Sequence, residues 1–224
     1  MMTWTSPILP SAGALPWGIA VSWGVVCAAC LYAWSLRWDR PSWRIVAALV
    51  LLSSLLPWTR GWTAHLALAF QTPSWVTLLA CVALAWPARA SHTPACGWTP
   101  WAGWLLGWAL WLDAFNRWPT GWEVSLYAWG FGAPALWAAM LCVAAAAVWT
   151  WRRHGAVARV QVIVALALLA FALTRGPTGN VWDALLDPWL WLVCHVDVLR
   201  QMWRSFTHWR TSKYSRQNSN ASGV

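Results

Sequence analysis

Seven apolar segments, separated by short polar stretches, most constrain what this chain can fold into. The segments cover residues 17–36, 45–57, 74–86, 98–112, 127–149, 160–173 and 182–199. A membrane-spanning helix needs about 20 mostly apolar residues, and the shorter segments approach that length only when flanking Trp and Thr residues are counted. We therefore predict an all-α, polytopic bundle of about seven transmembrane helices within residues 1–210.

The composition supports a membrane protein. Of the 224 residues, 60% are hydrophobic and only 9% are charged, whereas roughly 25% are charged in an ordinary soluble domain. These values argue against a soluble enzyme, a disordered chain and a disulfide scaffold. Many of the 26 Trp residues fall at segment ends, where indoles mark the membrane interface. Among the 15 basic residues only Lys213 is not Arg, a bias typical of GC-rich bacterial genomes, so we predict a bacterial inner-membrane protein.

The basic residues predict the orientation of the chain. Alternate loops and the tail place twelve of them on one side of the predicted membrane and three on the other. Since cytoplasmic loops carry the excess of Lys and Arg, the first side is predicted to be cytoplasmic. The N-terminus is then outside and the C-terminus inside, which requires an odd number of spans. This placement favours the lipid bilayer, and not nucleic acid, as the partner of the net charge of +9.

The segment after the last span divides into two parts. Apolar residues recur at helical spacing between Arg residues over 199–210, which predicts a short helix lying on the anionic inner leaflet. Residues 211–224 are polar, and their composition predicts disorder.

An internal repeat lies in the predicted outer loops. The sequences R-W-P-T-G at 117–121 and R-G-P-T-G at 175–179 share one pattern, and R-G-W-T-A at 60–64 keeps its Arg and Thr. A Pro and then a Cys follow each copy. Because repeats set a whole fold and are common in polytopic membrane proteins, we predict one extra helix followed by three two-helix repeats.

The same loops predict the function. Each offers an Arg, a Thr and a nearby ionisable group, and guanidinium groups bind phosphate or carboxylate bidentately. We expect the protein to bind or handle an anionic amphiphile, such as a phosphate-bearing lipid or a lipid-linked sugar, at its extracytoplasmic rim. It would act alone or as an accessory subunit of a membrane-protein complex. The predicted ligand-binding residues are Arg60, Arg117, Arg175, Thr63, Thr120, Thr178 and His65.

The outer carboxylates support alternative functions. Thr120 and Asn180 are each followed three residues later by an acid, Glu123 and Asp183, which is the spacing of a helix capping box. Asp183 and Asp187 are four residues apart and would share one helix face. Used for acid–base chemistry, Asp183, Asp187 and Glu123 would make the protein a membrane-embedded transferase or hydrolase. A small transporter and a purely structural membrane subunit are further alternatives, so the sequence leaves enzymatic activity undecided.

No cofactor or metal is predicted. The C-x-x-C at Cys27 and Cys30 lies within an apolar segment and has no second pair. His195 and Asp197 are the most internal ionisable residues, but no other His is placed to complete a haem site. The only Lys lies in the tail, which argues against a retinal attachment.

The fourth segment carries five Trp residues on one broad face. Gly103 and Gly107 fall outside that face and have the spacing that allows two helices to approach closely. This pattern predicts tight packing against a neighbouring helix.

Overall fold

The computed structural model describes residues 14–56, 61–85, 97–115, 125–155, 157–176 and 178–221, with side chains from 17 to 207. Helix is the only regular secondary structure in these ranges, which confirms the all-α class. The helices are α1 (Ala14–Arg37), α2 (Ser42–Ser53), α3 (Trp62–Phe70), α4 (Trp75–Ala85), α5 (Thr99–Ala114), α6 (Leu126–Trp129), α7 (Ala133–His154), α8 (Arg159–Thr174), α9 (Val181–Leu185) and α10 (Pro188–Ala221).

The helices follow one order three times. After α1, a longer helix, a short helix and another longer helix occur as α2–α3–α4, α5–α6–α7 and α8–α9–α10. Each short helix begins within or after one of the Arg-Thr sequences, and a proline lies within two residues of the start of the next helix, at Pro73, Pro134 and Pro188. Proline suits a first helical turn because its fixed φ matches the helix and its missing N–H is not needed there.

Three predicted segments differ from the helices. The segment 127–149 is divided into α6, a turn at 130–132 and α7. The segment 182–199 is divided into α9, an extended Leu186 (φ −142°, ψ 126°) and α10. The segment 45–57 is too long, because α2 ends at Ser53. Apolar character continues across these breaks, so hydropathy alone does not detect them.

The tail also differs from its prediction. Helix α10 has 34 residues, about 51 Å at 1.5 Å per residue, and contains the predicted interfacial helix as an uninterrupted part. Its backbone stays helical to Ala221, within the stretch for which composition predicts disorder. The exposed apolar side chains of this part include Leu199, Met202, Trp203 and Phe206.

Consecutive longer helices alternate in direction. Helices α1 and α2 form a hairpin in which α1 packs on α4, and α8 packs on both α4 and α7. The Arg159 guanidinium at the start of α8 donates to the Ala83 carbonyl at the end of α4. Helices α5 and α10 are antiparallel, since the indoles of Trp191 and Trp101 bond to Trp104 and Gln201. We call the end that holds α3, α6, α9 and the first turns of α4, α7 and α10 the capped end, and the opposite end the arginine-rich end.

A compact apolar cluster holds α7, α8 and α9 together. Its buried members are Ala135, Leu136, Leu168, Phe171, Val181, Trp182 and Ala184. Helix α9 has only five residues, too few for a helix that is stable alone. Its burial in this cluster therefore stabilises it, and it fixes the capped end relative to the bundle.

Two of the described helices are long and apolar enough to cross a membrane. These are α1, with mean hydropathy 1.8 over residues 17–37, and α7, with mean hydropathy 1.7. Helices α2, α4 and α8 are apolar but shorter. Helix α4 is about 17 Å long at 1.5 Å per residue, against about 30 Å for a bilayer core.

Candidate functional site

Asp113, at the end of α5, caps the start of α6. Its carboxylate accepts hydrogen bonds from the N–H groups of Leu126 (3.0 Å) and Tyr127 (2.8 Å) and from the Ser125 hydroxyl (2.6 Å). Ser125 in turn accepts the N–H of Ala128 at 3.2 Å. A carboxylate beside a helix N-terminus satisfies unpaired N–H groups and interacts favourably with the helix dipole. This capping role of Asp113 was not predicted from the sequence.

The end of α6 is bonded to the start of α9. The carbonyl of Leu126 accepts the Trp182 indole N–H at 2.8 Å, and that of Tyr127 accepts the Asn180 amide at 3.0 Å. The Gly130 carbonyl accepts the N–H of Val181 at 3.0 Å. Three carbonyls of one short helix and its turn are thus satisfied by the next, so α6 and α9 form one rigid unit.

Asn180 and Asp183 only partly match the predicted capping box. The Asn180 side chain accepts the N–H of Trp182 at 3.0 Å, as a cap should. Asp183 instead accepts the phenol of Tyr127 at 2.9 Å. The N–H of Asn180 donates to the Thr178 hydroxyl at 3.3 Å. The hydroxyl of Thr178, a predicted ligand-binding residue, thus forms a local hydrogen bond within the turn before α9.

The Asp183 carboxylate also affects the phenol that it binds. Burial, followed by the nearby Asp183 charge and its hydrogen bond, raises the pKa of Tyr127 to about 12. The neutral phenol is favoured because a phenolate would be desolvated beside a carboxylate. Tyr127 therefore remains a hydrogen-bond donor to Asp183 at neutral pH.

Asp187 joins the starts of α4 and α10. One carboxylate oxygen accepts the N–H of Leu190 at 2.8 Å, and the other accepts the N–H of Ser74 at 2.7 Å. Ser74 caps α4 by accepting the N–H of Thr77 at 3.0 Å. Asp187 is only 7% exposed. The prediction that Asp183 and Asp187 share a helix face is wrong, because α9 ends between them. In the sequence, the Pro188 that follows Asp187 indicates a helix start, and it could have identified Asp187 as a cap.

Helix α3 is the exception among the three short helices. Its first residue follows Gly61, which supplies no side-chain cap, and its first turn has no acidic residue. The Thr63 hydroxyl is fully buried and has no hydrogen-bond partner within the described ranges. His65, another predicted ligand-binding residue, is exposed on the same helix.

Arg175 occupies a strained position at the end of α8. It has φ 59° and ψ 0°, the left-handed region that normally favours glycine. Its guanidinium lies over the Phe171 ring, 5.8 Å from the centroid, and it forms no ion pair with any described carboxylate. A residue held in this backbone region costs roughly 1 kcal/mol or more and is often found at functional sites.

Four predicted site residues lie outside the described residues. These are Arg60, Arg117, Thr120 and Glu123. The convergence of Arg60, Arg117 and Arg175 on one pocket therefore stays a prediction. Among the described residues, Arg175, Thr178, Asp183 and Asp187 lie at the same end of the molecule as α3.

A second polar position lies inside the interface of α5 and α10. His195 Nδ1 is 2.9 Å from the Trp191 carbonyl, and its ring is enclosed by the indoles of Trp104, Trp108 and Trp191 at 4.7 to 6.0 Å between centroids. The bond to a carbonyl one turn earlier assigns the proton to Nδ1 when the ring is neutral. Asp197 forms an exposed ion pair with Arg200 at 3.4 Å.

The glycines of α5 allow this interface, as predicted. A Cβ on Gly103 would lie 2.7 Å from the Cys194 sulfur, and one on Gly107 would overlap the Trp191 indole. The tryptophan face also contacts α10, through Trp104 and Trp108. The two faces of α5 thus share one partner helix, which the sequence did not indicate.

The described residues contain no group of three or more His, Cys, Asp or Glu side chains suited to a metal ion. Cys30 lies beside Cys81 of α4, with 3.9 Å between the sulfur atoms, rather than pairing with Cys27. No protein-family model matches the chain, and no curated protein or solved structure is detectably similar to it.

Proposed function

We propose that this chain is a multi-pass protein of a bacterial inner membrane that binds the anionic headgroup of an amphiphile at its capped end. The capped end faces outward, and the arginine-rich end faces the cytoplasm. The bound headgroup carries phosphate, as in a phospholipid or a lipid-linked sugar. The protein acts alone or as an accessory subunit of a larger membrane complex.

The surface of the bundle supports a membrane location. Large apolar side chains point outward throughout the described helices, including Leu68 (83% exposed), Leu173 (78%) and Leu141 (69%). Soluble proteins rarely expose contiguous apolar surface of this extent. The buried positions are often alanines, and small residues between helices are typical of membrane bundles, where lipid competes for large apolar side chains.

Seven spans are part of the proposal. The longer helices α1, α2, α4, α5, α7, α8 and α10 alternate in direction, as successive crossings must. The shorter ones need their capped-end helices and loops to reach the second interface. Arg37, Arg40, Arg44, Arg152 and Arg153 all lie at the arginine-rich end, and their common side supports a cytoplasmic assignment by the excess of basic residues.

One observation carries the binding site: the buried Thr63 hydroxyl at the start of α3 has no hydrogen-bond partner among the residues that the structure describes. In the other two repeats, Asp113 and Asn180 supply oxygen atoms to the equivalent helix starts. At the start of α3, the N-cap residue Gly61 has no side chain to supply such an oxygen, and the described part of the chain shows no other cap there. An anion there would accept hydrogen bonds from the helix N–H groups and from Thr63, and it would be stabilised by the helix dipole.

The cations at the capped end support an anionic ligand. The carboxylates of Asp113 and Asp187 already accept backbone N–H groups, and Asp183 accepts the Tyr127 phenol. Arg175 has no described carboxylate partner. In the proposal, Arg175 and Arg117 attract the headgroup, while Arg60, next to Gly61 in the chain, binds it together with Thr63 and His65.

The carboxylate contacts also bear on the enzymatic alternative. A transferase or hydrolase would need Asp183 or Asp187 facing a substrate cavity. Asp187 is instead a buried helix cap, and Asp183 is engaged at the α6–α9 contact. No described observation favours catalysis, transport or a purely structural role over binding.

The test is ligand binding by the full chain purified in detergent. The probes are short-chain phosphatidic acid and short-chain phosphatidylcholine, compared by calorimetry or by ligand-induced thermal stabilisation. We expect binding of phosphatidic acid that Thr63→Val and Arg175→Ala each weaken by about tenfold, equivalent to one charge-assisted hydrogen bond of roughly 1.4 kcal/mol.

Arg153→Ala is the matched control, because Arg153 also lies over an aromatic ring, 4.2 Å from the Trp149 centroid, but at the arginine-rich end. Its binding should stay unchanged. Equal binding of both lipids, or equal losses in Arg153→Ala and Arg175→Ala, would contradict the proposed site. Recovery of the protein in the soluble fraction of cells would contradict the membrane location.

A further inference from the structure

An apolar groove opens between α1, α2 and α4, away from the capped end. Its volume is about 420 Å³. Buried alanines form its floor, at Ala28, Ala29 and Ala47. Larger apolar side chains, including Leu51 and Val82, form its walls. The groove is therefore a shallow, open and mainly apolar depression on the surface of the bundle.

The groove exists because α1 and α2 approach closely. A Cβ on Gly24 would overlap the Ser54 side chain, so the two helices are in near contact at the capped end. Toward the other end, the side chains of both helices that line the groove include the small residues Ala28, Ala29, Ala47 and Ala48. The lined stretch of each helix covers about two turns, roughly 10 Å at 1.5 Å per residue, which is long enough for part of an extended acyl chain.

Charge marks one end of the groove. Arg44 and Tyr32 line it where α1 and α2 are connected, and Arg37 and Arg40 lie on the same hairpin. Arg44 is exposed and forms no ion pair with a described carboxylate. An unpaired guanidinium above an apolar groove matches the two parts of an anionic lipid, because Arg binds phosphate bidentately and basic positions between helices on the cytoplasmic side bind lipid headgroups.

We propose that this groove is a specific site for an anionic phospholipid of the inner leaflet, with one acyl chain along the alanine floor and the phosphate on Arg44. The inference rests on the membrane location in the proposed function but not on ligand binding at the capped end. The two sites lie at opposite ends of the bundle, and they differ in their residues.

The headgroup, rather than the chain, determines selectivity at this site. An acyl chain gains little by leaving the bilayer for the groove, since lipid tails are as apolar as the side chains that line it. One Arg near an anionic surface contributes about 1 kcal/mol, so the expected preference for an anionic over a zwitterionic lipid with the same chains is about fivefold.

The test uses the full chain reconstituted in phosphatidylcholine vesicles. Spin-labelled phosphatidylglycerol and spin-labelled phosphatidylcholine are the probes, and electron paramagnetic resonance measures the immobilised fraction of each. We expect the wild type to prefer phosphatidylglycerol about fivefold. Arg44→Gln should remove that preference, and Ala48→Phe, which fills the exposed wall of the groove, should reduce the immobilised fraction.

Two variants serve as matched controls. Arg152→Gln removes an exposed charge at the same end, and Ala144→Phe adds a ring to an exposed position on α7; neither should change the result. Absence of a preference in the wild type, or an equal loss in Arg152→Gln, would overturn the site in favour of general surface charge. A change of oligomeric state in Ala48→Phe with unchanged lipid selectivity would overturn it in favour of a second copy of the chain. A bundle that keeps this selectivity but binds no phosphatidic acid through Thr63 would refute only the capped-end site.

Discussion

Helices α6 and α9 begin with N–H groups bonded to side-chain oxygen atoms, whereas α3, in the same place in the helix order, has no side-chain cap among the described residues. Asp113 and Ser125 serve α6, and Asn180 serves α9. At α3 the Thr63 hydroxyl is buried and has no partner within the described residues. Of the three short helices, two therefore have starts capped by side-chain oxygen atoms, and the third is the start at which we propose that an anion binds.

The difference between the capped starts of α6 and α9 and the start of α3 predicts different effects of substitutions on protein stability and on ligand binding. A buried hydroxyl without a partner costs roughly 1 to 3 kcal/mol, and a satisfied cap stabilises a helix start by about 1 kcal/mol. Changes at the satisfied starts should therefore lower stability. A change at α3 should raise the stability of the free protein while removing its ligand.

The largest effect is expected at Asp187, which caps α10 and also binds the start of α4. Asp187→Ala would leave the N–H groups of Ser74 and Leu190 without their charged acceptor, at a cost of about 3 kcal/mol. Unfolding in mixed micelles measures the loss. Asp197→Ala, which removes an exposed ion pair, should cost less than about 1 kcal/mol. Equal losses in the two variants would show that the α4–α10 link is not structural.

The next effect concerns the contact between α6 and α9. A Cβ on Gly130 would overlap the Asn180 side-chain oxygen and the Trp182 indole, so Gly130→Ala should displace the cap of α9 and cost about 2 kcal/mol. The same unfolding measurement tests it. Gly18→Ala is the control, since nothing lies within 4 Å of the new Cβ, and it should leave stability unchanged or slightly higher. A Gly130→Ala protein as stable as the wild type would mean that α6 and α9 are not rigidly joined.

A change of opposite sign is expected at the uncapped start. Thr63→Val keeps the shape of the side chain and removes the buried hydroxyl, so the ligand-free protein should become about 1 kcal/mol more stable. Ser125→Ala, at the satisfied start of α6, should become about 1 kcal/mol less stable. Thermal unfolding of both variants without added lipid makes the comparison. A loss of stability in Thr63→Val would mean that its hydroxyl is satisfied in the folded protein.

The smallest effect is pH-dependent and concerns Tyr127. The pKa of its phenol is raised from 10 to about 12 in the folded protein. The contribution of the neutral phenol to the folding stability is therefore complete below pH 10 and is lost as the pH rises through 12. Unfolding between pH 9 and 12 should show this loss in the wild type and less of it in Tyr127→Phe. Tyrosinate absorbance in the same range follows the phenol directly. Identical pH profiles in the two proteins would contradict the Tyr127–Asp183 contact.

Much of the local structure follows from the sequence because apolar runs and prolines act over a few residues. The first segment matches α1 closely, and the regular prolines mark where α4, α7 and α10 begin. The spacing of Gly103 and Gly107 indicated a close helix contact, although not that α10 is the partner. The short helices α6 and α9 were not predicted as separate helices, because contacts with distant parts of the chain stabilise them.

The caps show the limit of sequence-based inference most clearly. Asn180 was predicted as a cap from the acid three residues later, and its hydrogen bond to the N–H of Trp182 is local in the chain. Asp187 was expected to share a helix face with Asp183, but its carboxylate binds Ser74, which is 113 residues earlier. A carboxylate near a helix can cap, catalyse or bind a metal, and only its actual neighbours distinguish these roles.

The sequence by itself determined that the chain is helical and apolar, that basic residues collect on one side, and that a loop pattern recurs. These properties depend on side-chain type and local spacing. The tertiary structure decided which helix starts are capped, that the Thr63 hydroxyl is buried, and that an apolar groove opens beside Arg44. Hydrogen-bond partners and cavities depend on how distant helices pack, and a pattern along the chain does not contain that information.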